Sequence, residues 1–173
     1  MRPSRYRAAL AGALLVLPLS VSALVVTPPP ANNGGGSENP APPDCSNAAP
    51  SVSIIWPPDH TMVAVQVVGI VDPNDLPVTV TVTGIAQDES VDALGSGNTW
   101  VDGNGVGSPT AFVRAERSGL GTGRLYFISY TATNTSNMSC SGMVTTWVPH
   151  DLGQGIVAPA DTGQRVDSTT PVQ

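Results

Sequence analysis

The sequence contains no lysine, and charged residues make up only 12% of it. Three of the seven basic residues are arginines within the first seven positions. Residues 8–173 therefore hold four arginines against thirteen acids, a formal charge of −9. Because such a chain has no basic surface with which to neutralise phosphate groups, we expect it to have no nucleic-acid partner.

Aromatic residues are also scarce, at 5% of the chain, and no window shows the 3.6-residue periodicity of an amphipathic helix. Glycine and proline are abundant instead, with 18 and 17 residues. This composition is rich in turns without being collagen-like. A chain of 173 residues has room for one domain of ordinary size beside its flanking segments, which excludes a two-domain enzyme.

The N-terminal residues have the pattern of a secretory signal. Three arginines precede an uncharged run at residues 8–26, and residues 21–23 (Val-Ser-Ala) match the small-residue pattern that signal peptidase cleaves. We predict a signal peptide at residues 1–23, with no stable membrane insertion after its cleavage. An uncleaved N-terminal anchor is the alternative, because the uncharged run approaches the length of a membrane span.

Two polar segments flank the predicted domain at residues 45–151. Residues 24–44 are rich in proline and glycine and have almost nothing to bury, which predicts a linker. Residues 152–173 are polar and lack a hydrophobic stretch, and we predict a disordered C-terminal tail. Together with the signal peptide, this organisation predicts a secreted protein, either extracellular or in the cell envelope.

Short runs of β-forming residues alternate with Gly, Pro, Asn and Asp across the predicted domain. The clearest run is 77–83, where valine and threonine alternate with a period of two. The candidate strands are residues 51–56, 62–70, 77–83, 99–101, 110–117, 125–133 and 141–148. Seven short strands separated by turn residues predict an all-β fold, an antiparallel immunoglobulin-like β-sandwich of about seven strands.

The chain has two cysteines, Cys45 and Cys140. In an exported chain, two cysteines are most simply explained as one disulfide. Cys45 precedes the first predicted strand and Cys140 begins the last, so the predicted strand order places both at the same end of the sandwich. Two free, buried thiols are the alternative.

The same strand order gathers polar residues from distant parts of the sequence at the other end of the sandwich. The candidate binding residues are His60, Asp88, Glu89, Asp92, Arg117, His150 and Asp151. Arginines 114, 117 and 124 and Glu116 flank the glycine-rich turn at 118–123. We predict that arginine–carboxylate pairs brace this turn against the acidic loop, which contains Asp88, Glu89 and Asp92.

Metal binding is one alternative for these residues. The two histidines, with Asp59 and Asp151, have side chains suited to a transition metal. The acidic loop, with Asp102 and the residues 72–75, has the oxygen atoms that calcium prefers. We expect no cofactor, and bound calcium is the alternative. The other alternative is turn formation, since Asp and Asn favour such positions in any case.

Several motifs recur in the order and spacing of a known family. They are Cys45, Trp56–His60, Arg114–Gly119, Gly123–Tyr126, Ser139–Gly142 and Val148–Asp151. By these motifs, residues 45–151 resemble immunoglobulin-like modules of secreted bacterial proteins related to hyalin-repeat domains. The resemblance implies the sandwich, the Cys45–Cys140 bridge and an accessory or adhesive extracellular role without catalysis. Residues 95–99 depart from the family, because two aspartates of its Gly-Asp-Gly-Asp-Thr stretch are replaced by Ser96 and Asn98.

These observations predict a secreted, non-enzymatic binding, adhesion or accessory module. Its partner is expected to be an extracellular protein or a glycan, and the aromatic residues Trp100 and Trp147 suit either. One alternative is a structural envelope spacer without a ligand. The other is a small metal-dependent hydrolase that uses His60 and His150.

Overall fold

The computed structural model describes residues 39–92, 95, 99, 101–153 and 156–170. Eight strands lie in these ranges: β1 (Ala49–Pro50), β2 (Met62–Val68), β3 (Val78–Gln87), β4 (Gly103–Asn104), β5 (Thr110–Arg114), β6 (Gly123–Asn134), β7 (Ser139–Pro149) and β8 (Val166–Asp167). Among the described residues, no helix is long and apolar enough to cross a membrane. The predicted signal peptide and most of the predicted linker lie outside the described ranges.

The strands form two antiparallel sheets of four, in the orders β1-β2-β5-β4 and β7-β6-β3-β8. The predicted all-β, antiparallel fold is confirmed. Valines of β2 and β5 in the first sheet pack with Ile128 and Val144 of the second to form one core. The order of the first seven strands is the one that immunoglobulin-type sandwiches use, while the immunoglobulin-like assignment itself stays an interpretation.

Strand β3 runs further than predicted because it contains a β-bulge. The pairing with β6 shifts register between Val82 and Gly84, so Thr83 is an extra residue. Without the bulge, period-two alternation would turn Gly84 towards the core and Ile85 away from it. With the bulge, Val82 and Ile85 are both buried. The valine–threonine alternation stops at Thr83, and for that reason the predicted strand ended there.

The segment 51–56 was predicted as a strand and instead changes sheets. Ala49 and Pro50 pair with β2, whereas Ile54 forms an isolated parallel bridge with Trp147 of β7. The N–H of Ile55 donates to Trp147 O over 2.9 Å, and the N–H of Trp147 donates to Ser53 O over 3.0 Å. Ser51 still donates its N–H to Gln66 O of β2 over 2.8 Å, so the contact with β2 ends one residue beyond β1. The segment therefore lies beside both sheets without forming a continuous strand.

Two further elements differ from the predictions. The short strand predicted at residues 99–101 lies further along the chain, at Gly103–Asn104 (β4). Trp100 lies outside the described residues. Within the segment 152–173, β8 pairs with Ala86 and Gln87 of β3, and Ser168 is buried. This pairing was not predicted, because a two-residue strand is too short to show periodicity.

The two ends of the sandwich are chemically distinct. At the end that we call the entry end, Cys45 and Cys140 form the predicted disulfide, with a Cα–Cα distance of 6.1 Å. At the same end, the side chain of Asn134 donates to Ala41 O over 2.9 Å and to Asp72 Oδ2 over 2.8 Å. The opposite end begins at Gly123, and we call it the polar end. Strand β6 spans the two ends, a distance of roughly 35–40 Å.

Candidate functional site

A buried arginine forms the base of the polar end. Arg124 has no exposed side-chain surface, and its Nη1 lies 2.7 Å from Asp102 Oδ2. Its Nε donates to Glu89 Oε2 over 2.9 Å, and Nη1 also donates to the hydroxyl of Tyr126 over 3.1 Å. The predicted bracing of this turn by arginine–carboxylate pairs is confirmed. The Arg124–Asp102 pair is fully buried, however, so water does not screen it as it does exposed pairs.

Asp102 receives further donors. The side chain of Gln87 donates to Asp102 Oδ2 over 3.0 Å, and Arg114 Nε lies 3.3 Å from Oδ1. Burial raises the pKa of Asp102, while Arg124, the hydrogen bond from Gln87 and Arg114 act in the opposite direction. Asp102 is thus engaged by two arginines and a glutamine.

Arg114 connects this buried network to two residues with unusual backbone conformations. Its Nη1 donates to His60 O and its Nη2 to Val101 O, each over 2.9 Å. His60 has a φ of 67° and Val101 a φ of 64°. Valine is β-branched and rarely adopts this left-handed region, so the surrounding contacts must hold it there. Strain of this kind is concentrated at functional sites in proteins, which makes this end of the sandwich a candidate.

A cavity of about 330 Å³ opens beside these residues. It is lined by Pro58, His60, Gly95, Glu116 and Arg117. Glu116 is only 1% exposed; its Oε2 accepts hydrogen bonds from His60 Nδ1 over 2.9 Å and from the hydroxyl of Thr99. The other oxygen, Oε1, is buried and has no hydrogen-bond partner among the described residues. The cavity therefore has a carboxylate in its wall whose hydrogen bonding is half satisfied.

The bond to Glu116 sets the tautomer of His60. A carboxylate can only accept, so the neutral ring carries its proton on Nδ1, and Nε2 is then an acceptor. The side chain of His60 is 53% exposed, so the ring is accessible from solvent. His60 thus presents an oriented imidazole at the cavity.

Arg117 joins the cavity to the end of β7. Its Nε and Nη2 donate to the carbonyl of His150 over 3.1 and 2.8 Å. The next residue, Ser118, donates its N–H to Glu89 Oε2 over 2.8 Å. His150 Nδ1 in turn lies 3.1 Å from Asp151 Oδ2. These bonds bring residues from four distant parts of the sequence into one continuous surface.

The structure brings most of the candidate binding residues together. His60 and Arg117 line the same cavity, and His150 with Asp151 is attached to Arg117 through its carbonyl. Asp88 and Glu89 line a second cavity of about 310 Å³, which Ser118 also lines. Asp92 is exposed, and no hydrogen bond connects it with the other candidates within the described part of the chain.

The two acidic groups considered for calcium have different surroundings. Asp72 Oδ1 accepts the N–H groups of Asn74 and Leu76, which is a turn-forming role. Asp88 Oδ1 accepts the N–H of Leu125 over 2.8 Å, while Oδ2 is buried without a hydrogen-bond partner in the described structure. Within the described ranges, no group of three or more His, Cys, Asp or Glu side chains is placed to hold a metal ion.

Two features of the site were not predicted: the burial of Arg124 and the central position of Glu116. A signal for the first is present in the sequence, because Tyr126, Ile128 and Tyr130 recur with a period of two and therefore share one face of the strand. Extending that alternation back by one step places Arg124 on the same face. Glu116 lies beyond the end of β5, and no periodicity identifies its direction.

Comparisons of the chain with family models, curated proteins and solved structures gave no match. The resemblance to hyalin-repeat-related modules thus rests on its motifs and stays a prediction. The structure adds one relationship among them, since parts of three motifs meet at the polar end. His60 comes from the first, Glu116 and Arg117 from the second, and His150 from the last.

Proposed function

We propose that this chain is a secreted, non-enzymatic immunoglobulin-like module that binds an extracellular partner through its polar end. The observation that carries the proposal is the cavity beside Glu116, whose buried Oε1 has no hydrogen-bond partner in the described part of the chain. Buried polar atoms in folded proteins are nearly always paired, and a bound ligand is one way to pair them. Convergent polar groups around a preformed cavity are typical of binding sites.

The direction from which the chain enters the sandwich supports the same proposal. The first described residues are fixed at the entry end, where Ala41 hydrogen-bonds to Asn74 and Asn134. The cavity lies at the other end of β6. A module attached through its N-terminal segment therefore presents the polar end away from the point of attachment, which suits binding.

Secretion is the second part of the proposal. A disulfide between Cys45 and Cys140 favours an oxidising compartment. The first 23 residues begin with a positively charged segment, continue with an apolar run and end in small residues. This order favours export. N-terminal sequencing of the exported protein is expected to begin at Leu24. An intact Met1 would favour the uncleaved anchor.

The polar end can be tested with a panel of defined extracellular materials. The exported full-length protein, labelled at its N-terminal amine, is incubated with cellulose, chitin, peptidoglycan, collagen and fibronectin. The Arg117→Ala and Glu116→Gln variants alter the polar end. Asp75→Asn is the matched control, because Asp75 is exposed at the entry end and asparagine tolerates its φ of 56°.

We expect the protein to bind at least one material, with affinity at least tenfold lower for the polar-end variants and unchanged for the control. Binding that survives both polar-end substitutions would place the partner on another surface and overturn the proposal. Absence of binding to every material would favour the structural spacer. Hydrolysis of a polysaccharide or protein in the panel, lost on His60→Gln or His150→Gln, would favour the metal-dependent hydrolase.

A further inference from the structure

The cavity beside Glu116 carries both signs of charge. Glu116 contributes a carboxylate whose Oε1 has no partner among the described residues, and Arg117 contributes a guanidinium. Two N–H groups of Arg117 are held by His150 O, while its Nη1 makes one long hydrogen bond, of 3.5 Å, to Ser118 O among the described residues. The wall therefore contains a carboxylate oxygen that the described residues leave unpaired and a guanidinium nitrogen that they pair weakly.

This combination disfavours simple ions. A cationic ligand that approaches Glu116 meets the guanidinium of Arg117, and an anionic ligand that approaches Arg117 meets the carboxylate. Like charges placed together in a binding site lower the affinity by about two orders of magnitude or more. A neutral ligand avoids both repulsions.

A hydroxyl group is the neutral group that matches this wall. Each hydroxyl donates one hydrogen bond and accepts others. Of two adjacent hydroxyls, one would donate to Glu116 while the other accepts from Arg117. The Nε2 of His60 offers a second acceptor, because Nδ1 donates to Glu116. A pair of neighbouring hydroxyls is the repeating feature of carbohydrates.

An exposed aromatic ring lies on the same short segment. Trp56 is 44% exposed and lines a neighbouring cavity together with Pro57 and Asp59, while Pro58 and His60 line the cavity beside Glu116. Tryptophan with one apolar face free and polar groups beside it is typical of binding surfaces. The C–H face of a sugar ring is apolar and packs on such a ring.

We propose that the cavity lined by His60, Glu116 and Arg117 binds the vicinal hydroxyls of a neutral carbohydrate. This inference rests on the proposed function and assigns the glycan class to the same site. A zwitterionic amino acid is the alternative ligand, because its ammonium group could donate to Glu116 and its carboxylate could accept from Arg117. The experiment below distinguishes the two classes of ligand.

The two histidines make the site observable by NMR. The chain contains only His60 and His150, so two sets of imidazole signals are expected, and a His150→Gln variant assigns them. The labelled full-length protein is titrated separately with methyl α-mannoside, methyl β-glucoside, methyl β-galactoside and L-alanine. We expect at least one glycoside to shift the His60 signals saturably, with a dissociation constant on the order of 1 mM, and alanine to shift nothing.

Glu116→Gln is the decisive variant. Oε2 of Glu116 accepts from His60, so the amide of glutamine keeps its oxygen there and turns its NH₂ group to the Oε1 position. That replaces the proposed acceptor with a donor, and we expect glycoside affinity to fall at least tenfold. Arg117→Ala is a second variant that leaves Glu116 in place, and it should lower affinity similarly. Asp75→Asn should change nothing.

The possible outcomes separate the two proposals. Saturable shifts with alanine and none with the glycosides would overturn the carbohydrate assignment in favour of a zwitterionic ligand. If no glycoside binds while collagen or fibronectin binds through the polar end, the carbohydrate assignment fails and the proposed function stands. If neither test shows binding, both fail. Glycoside binding that is unchanged in Glu116→Gln and Arg117→Ala would also overturn the assignment.

Discussion

The Nη1 of Arg124 lies 2.7 Å from Oδ2 of Asp102, and neither side chain has exposed surface. This pair joins β6 to the residues just before β4, while Glu89 Oε2, 2.9 Å from Arg124 Nε, adds the end of β3. Desolvation makes a buried pair expensive to form, so its net contribution to stability is small or even unfavourable. Removing one partner is different, because it leaves the other charge buried and unpaired.

The first prediction follows from that asymmetry. Arg124→Met should lower the free energy of unfolding by about 3–5 kcal/mol, because it leaves the carboxylate of Asp102 without its closest cation. Arg165→Met is the matched control, since it removes an exposed pair with Asp161 and should cost far less. Urea unfolding of the three proteins measures both effects. Equal losses in the two variants would show that burial gives the Arg124 pair no special weight.

The second prediction concerns the disulfide. Cys45 and Cys140 are 95 residues apart, so the bridge closes almost the whole domain. In the chain-entropy model, a loop of this length stabilises the fold by about 4–5 kcal/mol. The Cys45→Ala/Cys140→Ala variant should lose most of that and become insensitive to dithiothreitol. Non-reducing peptide mapping of the exported protein should recover the linked peptides, and two alkylatable thiols would contradict the pairing.

Period-two patterns predicted the strands that have one buried face. The valine–threonine alternation of β3 is such a pattern, because Val82 is buried while Thr79 and Thr83 are exposed. The pattern failed where geometry changes without a change of composition. The bulge at Val82–Gly84 reverses the alternation, and the segment around Ile54 leaves one sheet for the other. Neither event has a signal in local hydrophobicity.

The topology predicts where the candidate site lies, but it does not predict the contacts between the side chains of the site. Antiparallel connections place His60, Arg117 and His150 at one end once the strand order is known. The position of Glu116 depends on how the chain leaves β5, and its partners come from two other loops. Such contacts between loops follow from tertiary packing, which no single segment of sequence encodes.

The third prediction concerns the entry end. Asn134 is 3% exposed, donates to Ala41 O and Asp72 Oδ2, and accepts the N–H groups of Ser136 and Met138. Asn134→Asp removes both donated bonds and places a carboxylate beside that of Asp72. We expect a loss of about 2–4 kcal/mol at pH 7, and a smaller loss at pH 3, where a protonated carboxyl can donate again.

Asn137→Asp is the control for this variant. Asn137 is exposed and has a φ of 60°, a conformation that aspartate also tolerates. Its unfolding midpoint in urea should stay close to that of the unmodified protein at both pH values. A similar loss in the two variants would mean that the added charge, and not the lost hydrogen bonds of Asn134, destabilises this end.

The last prediction couples stability to pH through Asp88, which is 2% exposed. Burial raises the pKa of its carboxyl above the usual 3.8, opposed by the hydrogen bond from the N–H of Leu125 and assisted by the charge of Glu89. Well below pH 3.8 the carboxyl is protonated in both the folded and the unfolded chain, so folding does not bury a charged carboxylate. As the pH rises, the unfolded chain releases the proton first. The favourable contribution of the protonated group is then lost as the pH passes the raised pKa of the folded state.

Asp88→Asn cannot ionise, and it keeps an oxygen for the N–H of Leu125. Its free energy of unfolding, minus that of the unmodified protein, should therefore increase between pH 3 and pH 7. Urea unfolding at one-unit steps measures this difference. Asp92→Asn is the control, because it removes one charge from the same loop at an exposed position. A difference for Asp88→Asn that stays flat or decreases with pH would show that burial does not raise the pKa of Asp88, since only a raised pKa makes the folded state hold its proton longer.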